Sequence, residues 1–551
     1  MSATGIYGLS GSGIDVESLV KVGMMSKQNQ YDKLYKQEVK NEWLKEAYSS
    51  LYSDLQTFNS STMYNYKLSS TTNPQTASST DTKVATATAN ADAATMSHNV
   101  TVNSLSSNAY LLTATDGIAR NSGSSSKSIY LSDIIDVSGW TEGDSLSFTI
   151  GNGQKTTDAD GKEVEDTKTI TLTYEDIVTN KQTLNDLAAA IKNNSDEKNK
   201  LAENNITASY DATNDAFSIY NKDGGADNKI SLTANDEKAA ALLNSLGLGA
   251  VTPQADGTTS LGSAISFTTG VKNEAASGTD ASVTIDGKNY TATNNKVSAG
   301  GVTYTFNAVG STTVSVSQDT DKIIENVKQF VSDYNKMIDS LNSKYYEEKY
   351  SDYSVLTKSQ ESAMTQDQID KWNEKAKSGL LYHDQTVGKL ISSMREAIYT
   401  PVDSVDSKYN SMMAIGITSS TNRGHLTLDE DKLKKALGED PDCVYQIFSS
   451  SGDVTNSKTG ATETDYDKEG VVNRITDKLN SYMKEMKSYA GTSTESGDGS
   501  TLGTLIENLL TKMSNFKTQM DAYETLLYKK YDAMESSIQQ LTMQANYFSY
   551  S

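Results

Sequence analysis

The C-terminal stretch carries an apolar heptad repeat, and this repeat constrains the fold more than any other feature of the sequence. Apolar residues recur there in steps of three and four, with one extra step of four between Leu527 and Tyr531. Such a repeat is typical of a coiled-coil helix, in which the extra step is a stutter. Neither proline nor glycine follows Gly503. The repeat consists of Met513, Phe516, Met520, Tyr523, Leu527, Tyr531, Met534, Ile538 and Leu541.

A helix over residues 502–548 would be roughly 70 Å long at 1.5 Å per residue. Its apolar stripe is too narrow to form a core alone, so it needs another helix, from this chain or from a neighbouring copy. A second repeat near the N-terminus is the natural partner, after a helix start that Ser12 or Asp15 can cap. That second repeat is Leu44, Tyr48, Leu51, Leu55 and Phe58. We therefore expect the two ends to pair in a helical stalk that carries the middle of the chain as an inserted head.

The middle of the chain, residues 70–316, is rich in Ser, Thr, Ala, Asn and Asp and contains short alternating runs separated by turn residues. This pattern predicts a mainly β head of two modules. One hairpin is predicted with Asp286-Gly287 at its tip. Helix signals return at an N-cap cluster around Asp319. Beyond it we expect helices, one small hairpin, and polar loops at 451–468 and 491–500.

The predicted fold class is therefore α+β and multidomain, with long coiled-coil-like helical legs from both termini, a helical and β leg domain, and inserted mainly-β head domains. The predicted parts are an N-terminal flexible segment with leg helices at 1–70, an inner β head at 71–120 with 266–316, an outer β head at 121–265, a leg domain at 317–450 and C-terminal coiled-coil helices at 451–551.

Charge and composition exclude several classes of function. The chain has 49 basic and 71 acidic residues, a net charge of −22, so nucleic acid is not an expected partner. The sequence contains no run of about 18 apolar residues, so we expect no membrane-spanning helix. No cleavable signal peptide is visible. A single cysteine, Cys443, rules out an intrachain disulfide. These features fit a cytoplasmic protein, and equally one that is exported unfolded by a route without such a signal.

Motifs for catalysis or cofactor binding are weak. Gly11-Ser12-Gly13 lacks the rest of a phosphate loop, and Asp158 to Gly161 resembles a calcium loop with its glycine too early and no closing glutamate. The histidines form no metal-binding pair and lie near no nucleophile motif; they are His98, His383 and His425. We therefore expect neither an enzyme nor a cofactor.

Several motifs, in order along the chain, resemble the flagellar hook-associated protein 2 family of filament-capping proteins. Ser12-Gly13-Ile14-Asp15 is similar to the family's opening, and residues 365–381, with Ile369-Asp370-Lys371-Trp372, are similar to a later signature. Ile415-Gly416-Ile417-Thr418 and Leu426-Thr427-Leu428-Asp429 match as well. One difference is that many members carry Glu and then Pro where this chain has residues 26–30 without either.

The resemblance implies a cap at the distal tip of the extracellular bacterial flagellum, exported by the flagellar type III pathway without a cleaved signal peptide. It implies a ring of about five or six copies. It also implies contacts with flagellin, which would insert and fold beneath the cap, and with hook–filament junction proteins. A cytoplasmic export chaperone is expected on the C-terminal helix. The two heptad repeats are the candidate contact residues. Two alternatives remain: an adhesin whose β head binds host or mucin glycans, and another flagellar axial protein such as a junction protein.

Overall fold

The structure is a computed structural model of the chain. It describes residues 15–114, 117–158, 161–196, 199–254, 258–406, 408–420, 423–457 and 460–549. The chain forms two compact units, of which one contains both termini, Met1–Pro74 with Asp319–Ser551, and the other is the insertion Gln75–Gln318. The predicted α+β architecture with an inserted β head is confirmed. Within the described ranges, no helix is both long enough and apolar enough to cross a membrane.

Most of the helices lie in the unit that contains both termini. The α-helices of the described residues are α1 (Val16–Thr57), α2 (Ser69–Thr72), α3 (Leu184–Lys192), α4 (Glu237–Ser245), α5 (Thr320–Tyr345), α6 (Lys358–Ser362), α7 (Gln366–Lys377), α8 (Gln385–Tyr399), α9 (Glu430–Glu439), α10 (Cys443–Ser449), α11 (Val471–Ala490) and α12 (Thr501–Ser549). The predicted cap of the first helix is confirmed, because the Asp15 carboxylate accepts a hydrogen bond from the Ser18 amide at 3.0 Å. The other candidate cap, Ser12, lies outside the described residues.

The N-terminal repeat packs differently from our expectation. Its members pack among the apolar faces of α5, α8 and α11, where all but the partly buried Leu44 are buried. The Tyr48 hydroxyl also donates a hydrogen bond at 2.6 Å to Asp384, which caps α8. The expectation that this seam pairs with the C-terminal seam is therefore wrong, because three wide amphipathic helices bury it more completely than one narrow stripe can. The residues concerned are Leu44, Tyr48, Leu51, Leu55 and Phe58.

A second difference concerns the predicted polar loop at 451–468. The structure has a two-stranded hairpin there, β20 (Ser451–Thr455) with β21 (Thr462–Glu469). The hairpin lies against a fully buried arginine, Arg474, whose guanidinium donates to four backbone carbonyls at 2.6–2.8 Å. The polar composition of residues 451–468 gave no sign of strands. Arg474, which positions the hairpin, lies outside the sequence of both strands.

The inserted unit consists mainly of antiparallel strands. Its strands are β1 (Gln75–Ser79), β2 (Ala85–Ala89), β3 (Ser97–Ser104), β4 (Asn108–Thr113), β5 (Ser145–Thr157), β6 (Glu163–Thr173), β7 (Ile206–Asp211), β8 (Ala216–Gly224), β9 (Lys229–Ala234), β10 (Leu248–Pro253), β11 (Thr259–Leu261), β12 (Lys272–Ser277), β13 (Ala281–Ile285), β14 (Lys288–Ala292), β15 (Lys296–Ala299), β16 (Val302–Phe306) and β17 (Gly310–Gln318). The other unit contains β18 (Ile417–Ser419) and β19 (Leu426–Leu428). The small hairpin predicted beyond Asp319 is confirmed as β18–β19, with Ile417 paired to Leu428.

The sheets of the inserted unit have the strand orders β1-β17-β3-β13-β14, β11-β10-β4-β8-β7, β12-β9-β5-β6 and β15-β16-β2. The predicted Asp-Gly hairpin is confirmed between β13 and β14, where Ile285 pairs with Lys288. Asp286 and Gly287 have φ values of 49° and 81°. Positive φ at both turn residues is what a two-residue type I′ connection requires.

The buried residues of the inserted unit form two separate clusters. One contains Val100, Val283 and Tyr304, and the other contains Leu111 and Phe148. Strands β4 and β12 contribute to the second cluster, although the predicted boundaries at 120 and 266 assign them to the inner head. The division of the chain into five parts stays a prediction.

Candidate interaction surface on the terminal helices

Helices α1 and α12 pack side by side and antiparallel. Near the start of α1, Val16 and Val20 form a buried cluster with Leu527. Further along α1, the Lys27 ammonium lies 5.4 Å from the ring centroid of Phe516 and 5.8 Å from that of Tyr523. Residue numbers thus rise along one helix as they fall along the other. The partner of the C-terminal seam is the first half of α1, which lies N-terminal to the predicted partner.

A glycine allows the close approach of the two helices. A Cβ atom on Gly23 would lie 2.7 Å from Cδ1 of Leu527, so the leucine tip occupies the space that a side chain would take. Glycine inside a helix costs about 0.5–1 kcal/mol relative to alanine. The burial of Leu527 against α1 offsets that cost.

The opposite end of the pair is fixed by a buried lysine. The Lys45 ammonium donates to the Asp498 carboxylate at 2.5 Å, to the Ala490 carbonyl at 2.6 Å and to the Ser500 hydroxyl at 3.3 Å. Burial by itself would raise the pKa of Asp498, but hydrogen bonds from Lys45 and Ser500 lower it to about 2. The segment at 491–500, which we predicted as a polar loop, is thus bonded to α1 at Asp498.

The C-terminal seam is used unevenly along its length. Leu527 and Met513 are buried, whereas Tyr523, Met534 and Leu541 are exposed. Phe516, Met520, Tyr531 and Ile538 are half-buried. The seam therefore supports intrachain packing up to about Tyr531, and its exposed members lie mostly beyond that point.

The last turns of α12 present a large apolar surface. The exposed fractions are 38% for Met534, 63% for Leu541, 64% for Met543 and 76% for Tyr547. We call residues 534–548 of α12 the open stripe. The heptad repeat predicted Met534, Ile538 and Leu541 among its members but missed Met543 and Tyr547, because neither falls on the heptad seam. Their hydrophobicity at the end of a long helix is the only signal that could have found them.

The residues considered for chemistry are engaged in structural contacts. His98 Nδ1 lies 2.6 Å from Asp286, His425 Nε2 lies 2.6 Å from Asp339, and the His383 ring stacks on Tyr345. Among the described residues, no group of three or more His, Cys, Asp or Glu side chains could hold a metal ion. Gly11-Ser12-Gly13 and the centre of the 158–161 segment lie outside the described residues.

The single cysteine is a poor nucleophile. Cys443 is buried in the core of its unit, and burial raises the pKa of its thiol to about 12. Since the thiolate is the reactive form, this side chain acts as packing.

Comparison with known protein families gives two matches. A model described as the N-terminus of flagellar hook-associated protein 2 matches residues 12–109, and one described as its C-terminus matches residues 278–543. Flagellar hook-associated protein 2 of Halalkalibacterium halodurans is 33% identical over 264 residues, which is 45% of this chain and 49% of the relative. That of Thermotoga maritima is 25% identical over 428 residues, 74% of this chain and 60% of the relative. The chain thus matches about half to three fifths of the length of these relatives.

Among solved structures, the chain is similar to the D1-D2-D3 domains of the flagellar cap protein FliD from Escherichia coli. That match has a TM-score of 0.46 and 20% sequence identity, and it covers 80% of this chain and 96% of the other.

Proposed function

Because the chain belongs to the flagellar hook-associated protein 2 family, we propose that it is a structural protein, not an enzyme, that caps the distal end of a bacterial flagellar filament and promotes the insertion and folding of flagellin there. The observation that supports this proposal best is the open stripe of α12. Several exposed apolar side chains grouped at the end of one helix are typical of a protein–protein contact, and an apolar helix face is completed by another helix.

Flagellin and other copies of the chain are the proposed partners of the terminal helices. Exposed Leu541 faces one side of the helix and exposed Met543 and Tyr547 face the other, so the end of α12 would pack between helices of flagellin with apolar contacts on both sides. The copies would form a closed ring of about five or six. Hook–filament junction proteins would be its neighbours before the filament grows. Because the N-terminal repeat is buried within the chain, the contact role that we predicted for it passes to the open stripe.

The same stripe supports a further part of the proposal, which concerns the time before assembly. In the cytoplasm, an exposed apolar surface is an aggregation hazard. We infer that an export chaperone covers the open stripe until the chain leaves by the flagellar type III pathway, without a cleaved signal peptide, for the extracellular tip. The alternatives of an adhesin and of a junction protein gain no support from the comparisons.

A filament-growth assay with purified flagellin tests the proposal. The variant is Met534→Asp/Leu541→Asp, and its control is Thr511→Asp/Thr518→Asp, which adds the same charge at exposed positions of the same helix outside the open stripe. Leu527 is left intact, because it is buried against α1 and its replacement would disturb intrachain packing. Desolvating one carboxylate in an apolar contact costs several kcal/mol.

We expect the wild-type chain and the control to bind filament ends and support flagellin insertion, and the Met534/Leu541 variant to lose end binding by at least tenfold. Circular dichroism should report the same helix content for all three proteins. Normal filament growth with the Met534/Leu541 variant would refute the role of the open stripe. A wild-type chain that has no effect on flagellin growth would refute the capping function itself.

A further inference from the structure

A pocket of 260 Å³ lies between the middle of α1, the segment that follows α5, and the C-terminal end of α7. Three lysine side chains line it, Lys36 and Lys40 from α1 and Lys349 from the segment after α5. Its other lining residues include aromatic rings and serines, namely Trp43, Tyr350, Tyr353, Ser351, Ser354 and Ser378. No carboxylate belongs to the described lining. We call this site the lysine pocket.

The three lysines are not neutralised within the chain. Lys36 donates to the Ser354 hydroxyl at 3.3 Å. Over the described ranges, neither Lys36, Lys40 nor Lys349 has a carboxylate oxygen within 4.0 Å, although other lysines of this unit form such pairs. In a chain with a net charge of −22, three unpaired lysines around one small pocket form a locally positive site.

Three acidic side chains near the pocket already have partners. Glu46 accepts from the Lys377 ammonium at 3.0 Å, and Glu347 accepts from the Gly379 amide at 2.9 Å. Glu348 forms a hydrogen bond with the Tyr350 hydroxyl, which is the main cause of the raised pKa of that tyrosine. None of these three carboxylates is therefore free to fill the lysine pocket.

The wall of the pocket is tightly packed at its base. A Cβ atom on Gly379 would lie 2.9 Å from Cα of Lys349, and Gly379 has a φ of 71°, so only glycine suits this position. The Ser378 hydroxyl donates to the Glu348 carbonyl at 2.5 Å. The Trp372 indole donates to the Ser354 carbonyl at 2.7 Å. These contacts hold the segment that carries Lys349 against α7 and the residues that follow it.

We propose that the lysine pocket binds carboxylate side chains from an acidic segment of a second copy of this chain. Ammonium groups and serine hydroxyls supply the hydrogen-bond donors that carboxylates require. A volume of 260 Å³ lies below the roughly 300–1,000 Å³ typical of small-molecule sites, so the pocket accommodates one or two side chains and not a large cofactor.

Charge complementarity favours a second copy as the source of these carboxylates. The chain has 22 more acidic than basic residues, so copies brought together repel one another unless positive sites meet negative segments. A basic pocket on an acidic chain provides such a meeting point and fixes the register between neighbours. This inference rests on the proposed function, in which copies assemble side by side.

Binding between an immobilised and a free copy of the full chain tests the inference. The variant is Lys40→Glu/Lys349→Glu, and the matched control is Lys434→Glu/Lys484→Glu, which changes two exposed lysines elsewhere in the same unit. A synthetic hexaglutamate peptide serves as competitor for the wild-type pair, with hexaglutamine as its uncharged control. The competition uses unaltered protein, so it remains decisive even where a variant folds poorly.

We expect the Lys40/Lys349 variant to weaken binding between copies by at least tenfold, and the control to weaken it by less than threefold. Hexaglutamate should compete with the wild-type pair, and hexaglutamine should not. The inference is overturned when wild-type copies fail to bind, when the variant binds as the wild type does, or when hexaglutamate has no effect. The filament-growth assay is independent of these results, so a chain that seals filament ends but shows none of these effects refutes only the lysine pocket.

Discussion

Replacing Lys45 with methionine should detach α1 from the connection between α11 and α12. The side chain of Lys45 is 1% exposed and that of Asp498 is 18% exposed. Methionine retains most of the length and apolar surface of the lysine stem but removes the ammonium. The Ala490 carbonyl and the Asp498 carboxylate, which Lys45 now contacts at 2.6 and 2.5 Å, would each lose a charged donor.

The magnitude follows from the burial of the two partners. Removing one member of a fully buried ion pair costs roughly 3–5 kcal/mol. Asp498 is partly exposed to solvent, which lets water replace part of what it loses, so we expect about 2–3 kcal/mol for Lys45→Met. The pKa of Asp498, lowered to about 2, gives a second signature. Its stabilisation is present above the ordinary pKa of 3.8 and is lost as pH falls from about 4 to 2, and it amounts to roughly 1 kcal/mol after allowance for solvent screening.

Urea unfolding followed by tryptophan fluorescence measures this effect. Trp140 lies in the inserted unit, whereas Trp43 and Trp372 lie in the unit of Lys45. A Trp140→Phe background therefore restricts the signal to the relevant unit. The free energy of unfolding should fall by about 2–3 kcal/mol for Lys45→Met. An Asp498→Asn variant completes a double-mutant cycle, in which the pair should be coupled by at least 1 kcal/mol.

A loss below about 0.5 kcal/mol, the size of an ordinary surface substitution, would refute the reasoning about this contact. Additive effects of Lys45→Met and Asp498→Asn would also refute it, because independent sites show no coupling.

Two further perturbations test buried polar groups of the same unit by urea unfolding. Arg474→Met leaves buried carbonyls without a donor and should cost about 3–5 kcal/mol, against less than 0.5 for the exposed control Lys484→Met. Burial and a hydrogen bond with Glu42 raise the pKa of Glu38 to about 7, so the folded state holds this proton more tightly and stability falls as pH rises from about 4.5 to 7. Burial also raises the pKa of Glu469 in the same unit to about 7, so Glu38→Gln should reduce that fall without abolishing it, and the exposed control Glu374→Gln should leave it unchanged. A Glu38→Gln chain whose stability falls over this range as steeply as that of the wild type would contradict the assignment.

The sequence predicted the helices and many strands because local rules decide them. The N-cap at Asp15, the heptads of α12 and the turn at Asp286-Gly287 each depend on residues within a few positions of one another. The hairpin at 451–469 escaped this reasoning, because the buried Arg474 that packs against it lies beyond its own strands. The buried pair of Lys45 and Asp498 escaped it too, since no local pattern joins residues so far apart in sequence.

The choice of helix partners shows where periodicity stops being informative. A heptad stripe predicts that a helix packs against another helix, but it does not identify which one, because any apolar stripe of similar width can serve as the partner. The apolar side chains of residues 44–58 belong to the same buried cluster as the broad apolar faces of α5, α8 and α11. They therefore do not pack against the heptad seam of α12. The first half of α1 then paired with α12, and Gly23 allowed the close contact with Leu527.

The antiparallel pairing also determines which part of α12 stays open. Val16 at the start of α1 meets Leu527, so the turns of α12 beyond Tyr531 extend past the described part of that helix. A substitution at Leu527 therefore tests folding of the helix pair, whereas one at Leu541 tests contact with another chain. Because both positions belong to a single sequence repeat, only the packing of α1 against α12 separates the two roles, and filament-growth variants have to be placed on the far side of Tyr531.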